Sequence, residues 1–152
     1  MESAVIKAEA TLDVRIAQAR QWFMELETFP ERYQFKTHAG FAFVQGNFGE
    51  IGARFQTREQ FYGLKLTLRF ELTEVGDRHF RFRLIRPALP VWGAFVIEEA
   101  PDDSTNLSLE IGGITRPGTW VLRLPQVRDA VRKQICGEVE HIKASMEAIY
   151  PR

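Results

Sequence analysis

Apolar and polar side chains alternate along most of the chain between residue 37 and about residue 113. A period of two is typical of β-strands that have one buried face. Short runs rich in Gly, Pro or Asp, which favour turns, separate the alternating segments. The pattern predicts six strands, near residues 39–45, 51–61, 64–74, 78–85, 91–99 and 105–112. Because their connections are short, we expect an antiparallel meander with one apolar and one charged face.

Two short helices are predicted between an opening strand and this meander. The alternating run from Val5 to Leu12 predicts the opening strand. Asp13 is a candidate N-cap, and the apolar residues of segment 16–26 recur with a helical period. Pro30 then indicates a break in the helix, followed by a second short helical turn.

The last part of the chain predicts one long amphipathic helix. Pro125 suits the first helical position, and Pro151 ends the segment. Between them, apolar residues recur at the helical period from Leu124 to Ile149. The fold class is therefore α+β. We expect a seven-stranded antiparallel sheet that buries its apolar face against a long C-terminal helix, within one domain spanning residues 1–152.

The segment GNFGEIGARF, residues 46–55, places glycines at positions 46, 49 and 52. Such spacing occurs in phosphate-binding loops and in tight turns. A kinase-type loop also needs a strand Lys and catalytic Asp motifs, and a Walker loop needs Gly-Lys-Ser/Thr at a helix start. The sequence has none of these, and the segment continues as an alternating strand. We therefore interpret it as a turn in which Gly46 and Gly49 are free to adopt positive φ.

Composition limits the classes of partner. The charges balance, with 20 Lys and Arg against 20 Asp and Glu, so net charge does not direct the protein to nucleic acid or anionic lipid. The N-terminal segment lacks the basic start and apolar run of a signal peptide, and no stretch approaches about 18 consecutive apolar residues. The single cysteine, Cys136, excludes an internal disulfide. We expect a cytoplasmic protein without membrane insertion or nucleic-acid partner.

The chain resembles the START-like, polyketide-cyclase superfamily (SRPBCC), which includes the plant pollen-allergen fold. The matching segments include VRIAQARQWFMELETFPERY after the opening strand, GNFGEIGARF at the turn and IKASMEAIY in the last helix. The resemblance implies a helix-grip fold, in which the sheet curls around the long helix and leaves a cavity for a small hydrophobic molecule. Some members are cyclases, dehydratases or oxygenase domains, but the oxygenase iron and Rieske ligand motifs have no match in this chain.

The resemblance implies that the apolar face of the sheet lines this cavity. The ordinary alternative is a solid core, in which the same side chains pack against the helix. Strand 91–99 is apolar in both registers, so Trp92 and Phe95 cannot both face inward. The predicted ligand contacts are Phe43, Phe55, Leu68, Phe70, Phe82, Trp92, Phe95, Leu109, Arg128, Val131, Ile135, Glu138 and Ile142. Further lining candidates are Phe41, Phe61, Leu66, Phe80 and Leu107.

Three charged side chains fall on apolar faces. Glu138 lies near the centre of the apolar stripe of the last helix, and Arg128 lies off its centre on the other side. Strict alternation carries Glu59 to the inner face of its strand. A carboxylate in an apolar cavity needs a partner or has a raised pKa, so Glu138 and Glu59 are candidates for acid–base chemistry. Alternatively, Glu138 and Arg128 reach water at the helix border, and a bulge turns Glu59 outward.

Three functional hypotheses remain open at this point. The first is binding, transport or sequestration of a small hydrophobic or amphipathic ligand by a monomer or homodimer. The second is an enzyme of cyclase, dehydratase or hydrolase type that uses a carboxylate of the cavity without a metal. The third is a non-catalytic interaction domain with a basic outer face and a collapsed cavity. His38, His79 and His141 show no metal-ligand spacing, so we expect no metal and no other cofactor.

Overall fold

The computed structural model of the protein describes residues 5–61 and 63–152. Its elements follow one another as β1 (Val5–Leu12), α1 (Ile16–Met24), a 3-10 helix (Pro30–Tyr33), β2 (His38–Gln45), β3 (Arg54–Phe61), β4 (Leu64–Val75), β5 (His79–Arg86), β6 (Val91–Ala100), a second 3-10 helix (Pro101–Asp103), β7 (Ser104–Gly113), α2 (Arg116–Val121) and α3 (Pro125–Ile149).

Within this described part, the strands form one seven-stranded sheet in the order β1-β7-β6-β5-β4-β3-β2. Every neighbouring pair is antiparallel. β2 to β7 form the predicted meander in chain order, and the last strand, β7, pairs with β1. β1 and β2 are therefore the edge strands of this sheet. The predicted α+β architecture, a seven-stranded antiparallel sheet with a long C-terminal helix, is confirmed.

α3 lies against the inner face of the sheet and closes the core. Its C-terminal half contributes Val139, Ile142 and Met146, each at most 1% exposed. These side chains share one hydrophobic cluster with Leu12 of β1 and Trp22 of α1. Burial of this stripe is what holds the helix on the sheet, as the 3.6-residue period predicted. In the described part of the chain, no helix combines the length and apolarity needed to cross a membrane.

Two details of the helices differ from the sequence prediction. α1 begins at Ile16, so its N-cap is Arg15 rather than the predicted Asp13, whose backbone N–H donates to Glu147 on α3 at 2.8 Å. α2 forms between the last strand and the long C-terminal helix, where the sequence analysis placed no helix. Pro117 lies in the first turn of α2, where backbone N–H groups have no intrahelical acceptor, so the missing N–H of proline costs nothing there.

Residues 46–53 connect β2 to β3, which confirms the turn interpretation of the glycine-rich segment. β3 therefore starts at Arg54, later than predicted. Gly46 and Gly52 have φ values of 72° and 87°, in the region that side chains with a Cβ rarely adopt. The positive φ expected at Gly49 thus occurs at Gly52 instead.

Phe48, between these glycines, is the residue that fixes the turn on the protein. Its side chain is 0% exposed. The ring centre lies 5.6 Å from that of Phe23, 5.4 Å from that of Phe55 and 5.3 Å from that of Phe80. The turn therefore inserts an aromatic ring among side chains of α1, β3 and β5.

We expect Phe48→Ala to lower the free energy of unfolding by about 3–5 kcal/mol, because it removes a large buried side chain and leaves a cavity. Urea denaturation measures the change. The matched control is Ile51→Ala in the same turn, where the side chain is 70% exposed and the expected change is within about 0.5 kcal/mol. Equal effects of the two substitutions would contradict the anchoring by Phe48.

Candidate functional site

A cavity of about 370 Å³ lies between the inner face of the sheet and the N-terminal half of α3. Its wall is apolar except at one end. The residues that line it are Tyr33, His38, Phe41, Phe55, Thr57, Glu59, Leu66, Leu68, Phe70, Phe82, Leu84, Leu89, Val91, Phe95, Leu109, Ile111, Val121, Leu122, Val127, Val131, Gln134, Ile135 and Glu138.

The position of the cavity follows from the side chains of α3. In the C-terminal half of the helix, Ile142 and Met146 are fully buried against the sheet. In the N-terminal half, Val127 and Val131 line the cavity instead and are only partly buried. Their short side chains do not fill the space in front of the sheet, so this half of the interface stays open.

Phenylalanine rings from neighbouring strands form one wall of the cavity. The ring centres of Phe55 and Phe70 are 5.2 Å apart, those of Phe70 and Phe82 are 5.2 Å apart, and those of Phe82 and Phe95 are 5.6 Å apart. Gly93 gives the ring of Phe82 its room, since a Cβ at that position would lie 2.4 Å from the ring. The four rings thus form a continuous aromatic surface across β3 to β6.

The structure brings most of the predicted contact residues to this cavity. Those that line it are Phe55, Leu68, Phe70, Phe82, Phe95, Leu109, Val131, Ile135 and Glu138, with Phe41 and Leu66 from the further candidates and Glu59 from the acid–base candidates. Phe80 and Leu107 are fully buried in the core and do not line it. The side chain of Phe61 lies outside the described part of the chain.

Trp92, a predicted ligand contact, lies on the outer face of the sheet. The guanidinium of Arg81 lies 4.1 Å from the centre of its ring. On β6, Val91, Gly93 and Phe95 occupy the inward positions, so alternation turns Trp92 outward. The assignment of Trp92 to the cavity is thereby corrected.

Three other predicted contacts lie beside the cavity rather than in its wall. Arg128 extends to the edge strand, where Nη2 is 3.4 Å from the carbonyl oxygen of Val5. Phe43 packs its ring on Phe48, with 5.2 Å between ring centres. Ile142 is fully buried in the closed half of the interface. Helical periodicity identified the correct face of α3 but not how far along the helix the cavity extends.

Four polar side chains, termed the polar cluster, meet at one end of the cavity: Tyr33, His38, Glu59 and Glu138. The Tyr33 hydroxyl donates a hydrogen bond to Oε1 of Glu138 at 2.6 Å. Nε2 of His38 lies 3.5 Å from the same oxygen. His38 and Glu138 are 1% and 7% exposed, so neither side chain reaches bulk water.

A β-bulge brings His38 into the polar cluster. The pairing register of β2 with β3 shifts between His38 and Gly40, which makes Ala39 an extra residue on β2. Strict alternation would place His38 and Phe41 on opposite faces, but both line the cavity. Across the strand pair, His38 lies opposite Glu59, which faces inward as its own alternation predicted.

Neighbouring groups orient the side chains of the cluster. Nδ1 of His38 lies 2.6 Å from the carbonyl oxygen of Tyr33, so Nδ1–H donates and Nε2 of the neutral ring is an acceptor that faces the cluster. Thr57 donates to Oε2 of Glu59 at 2.7 Å, and the side-chain amide of Gln134 lies 3.4 Å from Oε1. The polar cluster is therefore held in place by β2, β3, α3 and the first 3-10 helix.

Burial controls the protonation of the cluster. Desolvation, followed by the charge of Glu59, raises the pKa of Glu138 well above its ordinary value. Desolvation also raises the pKa of Glu59. Burial lowers the pKa of His38 to about 4, so the imidazole is neutral at neutral pH. No Lys or Arg is among the described residues that line the cavity, so protein cations do not offset the two carboxyl groups.

Two apolar residues of the cavity wall are exposed at the protein surface. Leu89, in that connection, lines the cavity and is 53% exposed. Val121, at the end of α2, also lines the cavity and is 42% exposed. Both residues lie on elements other than those that carry the polar cluster.

Sequence reasoning missed Tyr33, His38 and Gln134 as site residues. Tyr33 lies in a single 3-10 turn, which is too short to show a periodic pattern. Strict alternation along β2 does not place His38 on the same face as Phe41, because the bulge at Ala39 shifts the pattern. Gln134 left a usable signal, because it precedes Glu138 by four residues and so lies on the same side of α3. A polar pair at that spacing beside an apolar stripe indicates a shared buried environment.

Arg54, Arg69 and Arg83 on the outer face of the sheet have side-chain partners on neighbouring strands. Glu71 lies 3.0 Å from Arg83 and 3.2 Å from Arg54, and these guanidinium groups, Arg83 first, lower the pKa of its carboxyl. Nη2 of Arg69 lies 3.1 Å from Oε1 of Gln56. The open cavity also contradicts the collapsed cavity on which the interaction-domain hypothesis depended.

No protein-family model matches the chain, and no curated protein matches it. Solved structures do match. The NMR structure of KanY protein (ms6282) is 12% identical, with coverage of 97% of this chain and 99% of that chain, at a TM-score of 0.73. The crystal structure of Ara h 8.0201 is 14% identical, with coverage of 97% and 99%, at a TM-score of 0.69.

The di-domain ARO/CYC BexL, from the BE-7585A biosynthetic pathway, matches over 100% of this chain and 48% of its own, with 14% identity and a TM-score of 0.69. Structural matches at such low sequence identity show that the folds are alike. Function has to be argued from the site itself. The matches cover nearly the whole chain, so the likeness includes the sheet and α3 together. The chain therefore shares the fold of these proteins, a seven-stranded antiparallel sheet with a long C-terminal helix, which is the helix-grip fold that the resemblance in its sequence implied.

Proposed function

We propose that the protein binds a small hydrophobic or amphipathic molecule in the cavity between its sheet and α3. The observation that carries this proposal is a space of about 370 Å³ with an apolar wall and one polar end. An apolar ligand that leaves water for such a wall gains about 25 cal/mol per Å² of buried apolar surface, before the cost of its lost freedom. Leu89 and Val121, which line the cavity and are exposed, offer such a molecule apolar contacts at the protein surface.

The polar cluster restricts the chemistry of the ligand's polar group. A carboxylate would be buried beside Glu59 and Glu138 with no Lys or Arg in the described wall to offset its charge. A hydroxyl group can donate to a carboxylate or accept from a protonated carboxyl group, so it fits either state of the cluster. While the cluster holds no cation, we therefore expect a neutral ligand with a hydroxyl or carbonyl group rather than a fatty acid.

Filling the cavity tests the location of the site. We expect Val131→Phe to weaken binding of the neutral fluorescent probe N-phenyl-1-naphthylamine at least about tenfold, because the added ring occupies space that the probe needs. Cys136→Phe on the exposed side of α3 is the matched control and should bind the probe as the unaltered chain does. Fluorescence titration measures both. Equal binding by the two variants would place the probe elsewhere and remove the support for this cavity.

Competition between matched ligands tests the polar end. In buffer with EDTA, we expect 1-decanol to displace the probe at a concentration at least about tenfold lower than decanoate does, because only decanoate brings a negative charge beside the polar cluster. The double variant Glu59→Gln/Glu138→Gln should reduce this preference. A preference for decanoate in the unaltered chain would contradict the proposed neutral ligand.

A second candidate function, acid–base catalysis on the bound molecule, is favoured by the polar cluster itself. Two carboxyl groups with raised pKa values, one of them hydrogen-bonded to Tyr33, are suited to exchange protons with a ligand at the same end of the cavity. The di-domain ARO/CYC BexL comes from a biosynthetic pathway, which is consistent with such chemistry on this fold. In this hypothesis Glu138 and Glu59 act as acid and base, as the sequence analysis suggested.

Glu138→Gln separates the two functions. Native mass spectrometry of the purified protein identifies a molecule that remains bound, and incubation of that molecule with fresh protein reports turnover. For an enzyme, we expect Glu138→Gln to retain binding and to lose turnover at least about a hundredfold, the usual contribution of a general acid or base. Glu140→Gln, exposed on the same helix, is the control. If the unaltered protein leaves the molecule unchanged, the catalytic hypothesis fails and the binding function stands.

A further inference from the structure

Three metal-ligand side chains converge inside the polar cluster. One nitrogen of His38 and one carboxylate oxygen each of Glu59 and Glu138 all lie within 4.8 Å of one another. The three residues come from β2, β3 and α3, so no spacing in the sequence connects them. The convergence exists only because the bulge at Ala39 turns His38 inward and the closed half of α3 holds Glu138 over the sheet.

The distance between two of these donor atoms is close to the distance between neighbouring ligand atoms of a bound zinc ion. Nε2 of His38 lies 3.5 Å from Oε1 of Glu138, longer than the usual 2.7–3.2 Å range of a hydrogen bond to nitrogen. Ligands of a tetrahedral Zn²⁺ at bond lengths of about 2.0–2.1 Å are about 3.4 Å apart. One carboxylate oxygen of Glu59 lies within 4.8 Å of one donor atom each of His38 and Glu138.

Each of the three side chains also has an outer partner that orients it. Nδ1–H of His38 donates to the Tyr33 carbonyl and leaves Nε2 facing the cluster. The Tyr33 hydroxyl donates to Glu138, and Thr57 donates to Glu59. Histidine ligands of metals characteristically donate their other N–H to a carbonyl or carboxylate, and ligating carboxylates are themselves hydrogen-bonded.

The charges around the cluster favour a cation. Glu59 and Glu138 each have a carboxylate oxygen within 4.8 Å of the other's, at least nine-tenths of the Glu138 side chain is buried, and the described cavity wall has no Lys or Arg. Like charges in such a place repel unless a proton or a cation lies between them. A divalent ion would neutralise both carboxylates and would also be bound by the neutral imidazole. A proton shared between the two carboxyl groups would not require the imidazole.

We propose that His38, Glu59 and Glu138 bind one divalent transition-metal ion, of which Zn²⁺ is the representative, at the polar end of the cavity. One imidazole and two carboxylates suit zinc and its neighbours in the first transition row better than Ca²⁺, which takes 6–8 oxygen ligands. Three protein ligands leave a coordination position that faces the cavity. A hydroxyl or carbonyl oxygen of a bound ligand would occupy that position. This site departs from the metal-free expectation of the sequence analysis.

Titration of the EDTA-treated and desalted protein with ZnCl₂ in a calorimeter tests the proposal. We expect one ion per chain with a dissociation constant of roughly micromolar or below. Co²⁺ should give the intense visible absorption of a four-coordinate site, and excess Mg²⁺ or Ca²⁺ should not displace it. Absence of a one-to-one complex with either ion would overturn the site.

Isosteric variants identify the ligands. Glu59→Gln and Glu138→Gln should each weaken Zn²⁺ binding at least about tenfold, because an amide is a poorer ligand than a carboxylate. Glu140→Gln on the same helix should have no effect, since that side chain is exposed. Circular dichroism checks that each variant is folded. Unchanged Zn²⁺ affinity in both cluster variants, or an equal loss in Glu140→Gln, would place the ion on the surface and overturn the proposal.

Ligand binding gives a second readout that separates this proposal from the proposed function. If the ion lies at the polar end of the cavity, Zn²⁺ should strengthen the binding of decanoate at least about tenfold, and decanoate should strengthen Zn²⁺ binding by the same factor. Probe binding in EDTA reports the cavity without any metal, so failure of one proposal leaves the other intact. Decanoate affinity that does not respond to Zn²⁺ would overturn the placement of the ion in the cavity.

Discussion

The contact between α3 and one apolar face of the sheet is the constraint on which the rest of the structure depends. An antiparallel sheet with one apolar face must bury it, and in this protein α3 is the principal cover. The contact is complete only in the C-terminal half of the helix, where Ile142 and Met146 are fully buried. Because that half secures the helix, the N-terminal half can stand away from the sheet. Stability and the cavity thus arise from one interface.

The polar cluster is an exception to the apolar interior, and its energetic cost explains its form. A buried carboxyl group without partners would destabilise the fold, so each member of the cluster is hydrogen-bonded or packed on an aromatic ring. The His38 ring stacks on Tyr33 with 4.2 Å between ring centres. The apolar wall and the polar end contribute differently to recognition, since the wall provides affinity for any hydrophobic molecule and the cluster selects its polar group.

Regular patterns predicted the parts of the site that lie on regular elements. Alternation through Phe55 and Thr57 placed Glu59 on the inner face, and the helical stripe placed Glu138 toward the sheet. Both predictions agree with the structure because β3 and α3 are uninterrupted there. The prediction that Trp92 faces the cavity was wrong. β6 is apolar on both faces, and the inward position goes to Gly93, which accommodates the ring of Phe82 from the adjacent strand.

The sequence by itself determined the order of elements, the inner face of each strand and the buried stripe of α3, because these depend on local periods of hydrophobicity. Only the tertiary structure decided that half of the sheet–helix interface stays open and that His38, with Tyr33, joins the two carboxyl groups. The bulge at Ala39 and the position of α3 along the sheet depend on contacts between residues far apart in the chain. Local periodicity gives the direction in which each side chain points. It does not show which distant residues a side chain meets, or whether they fill the space between the sheet and α3.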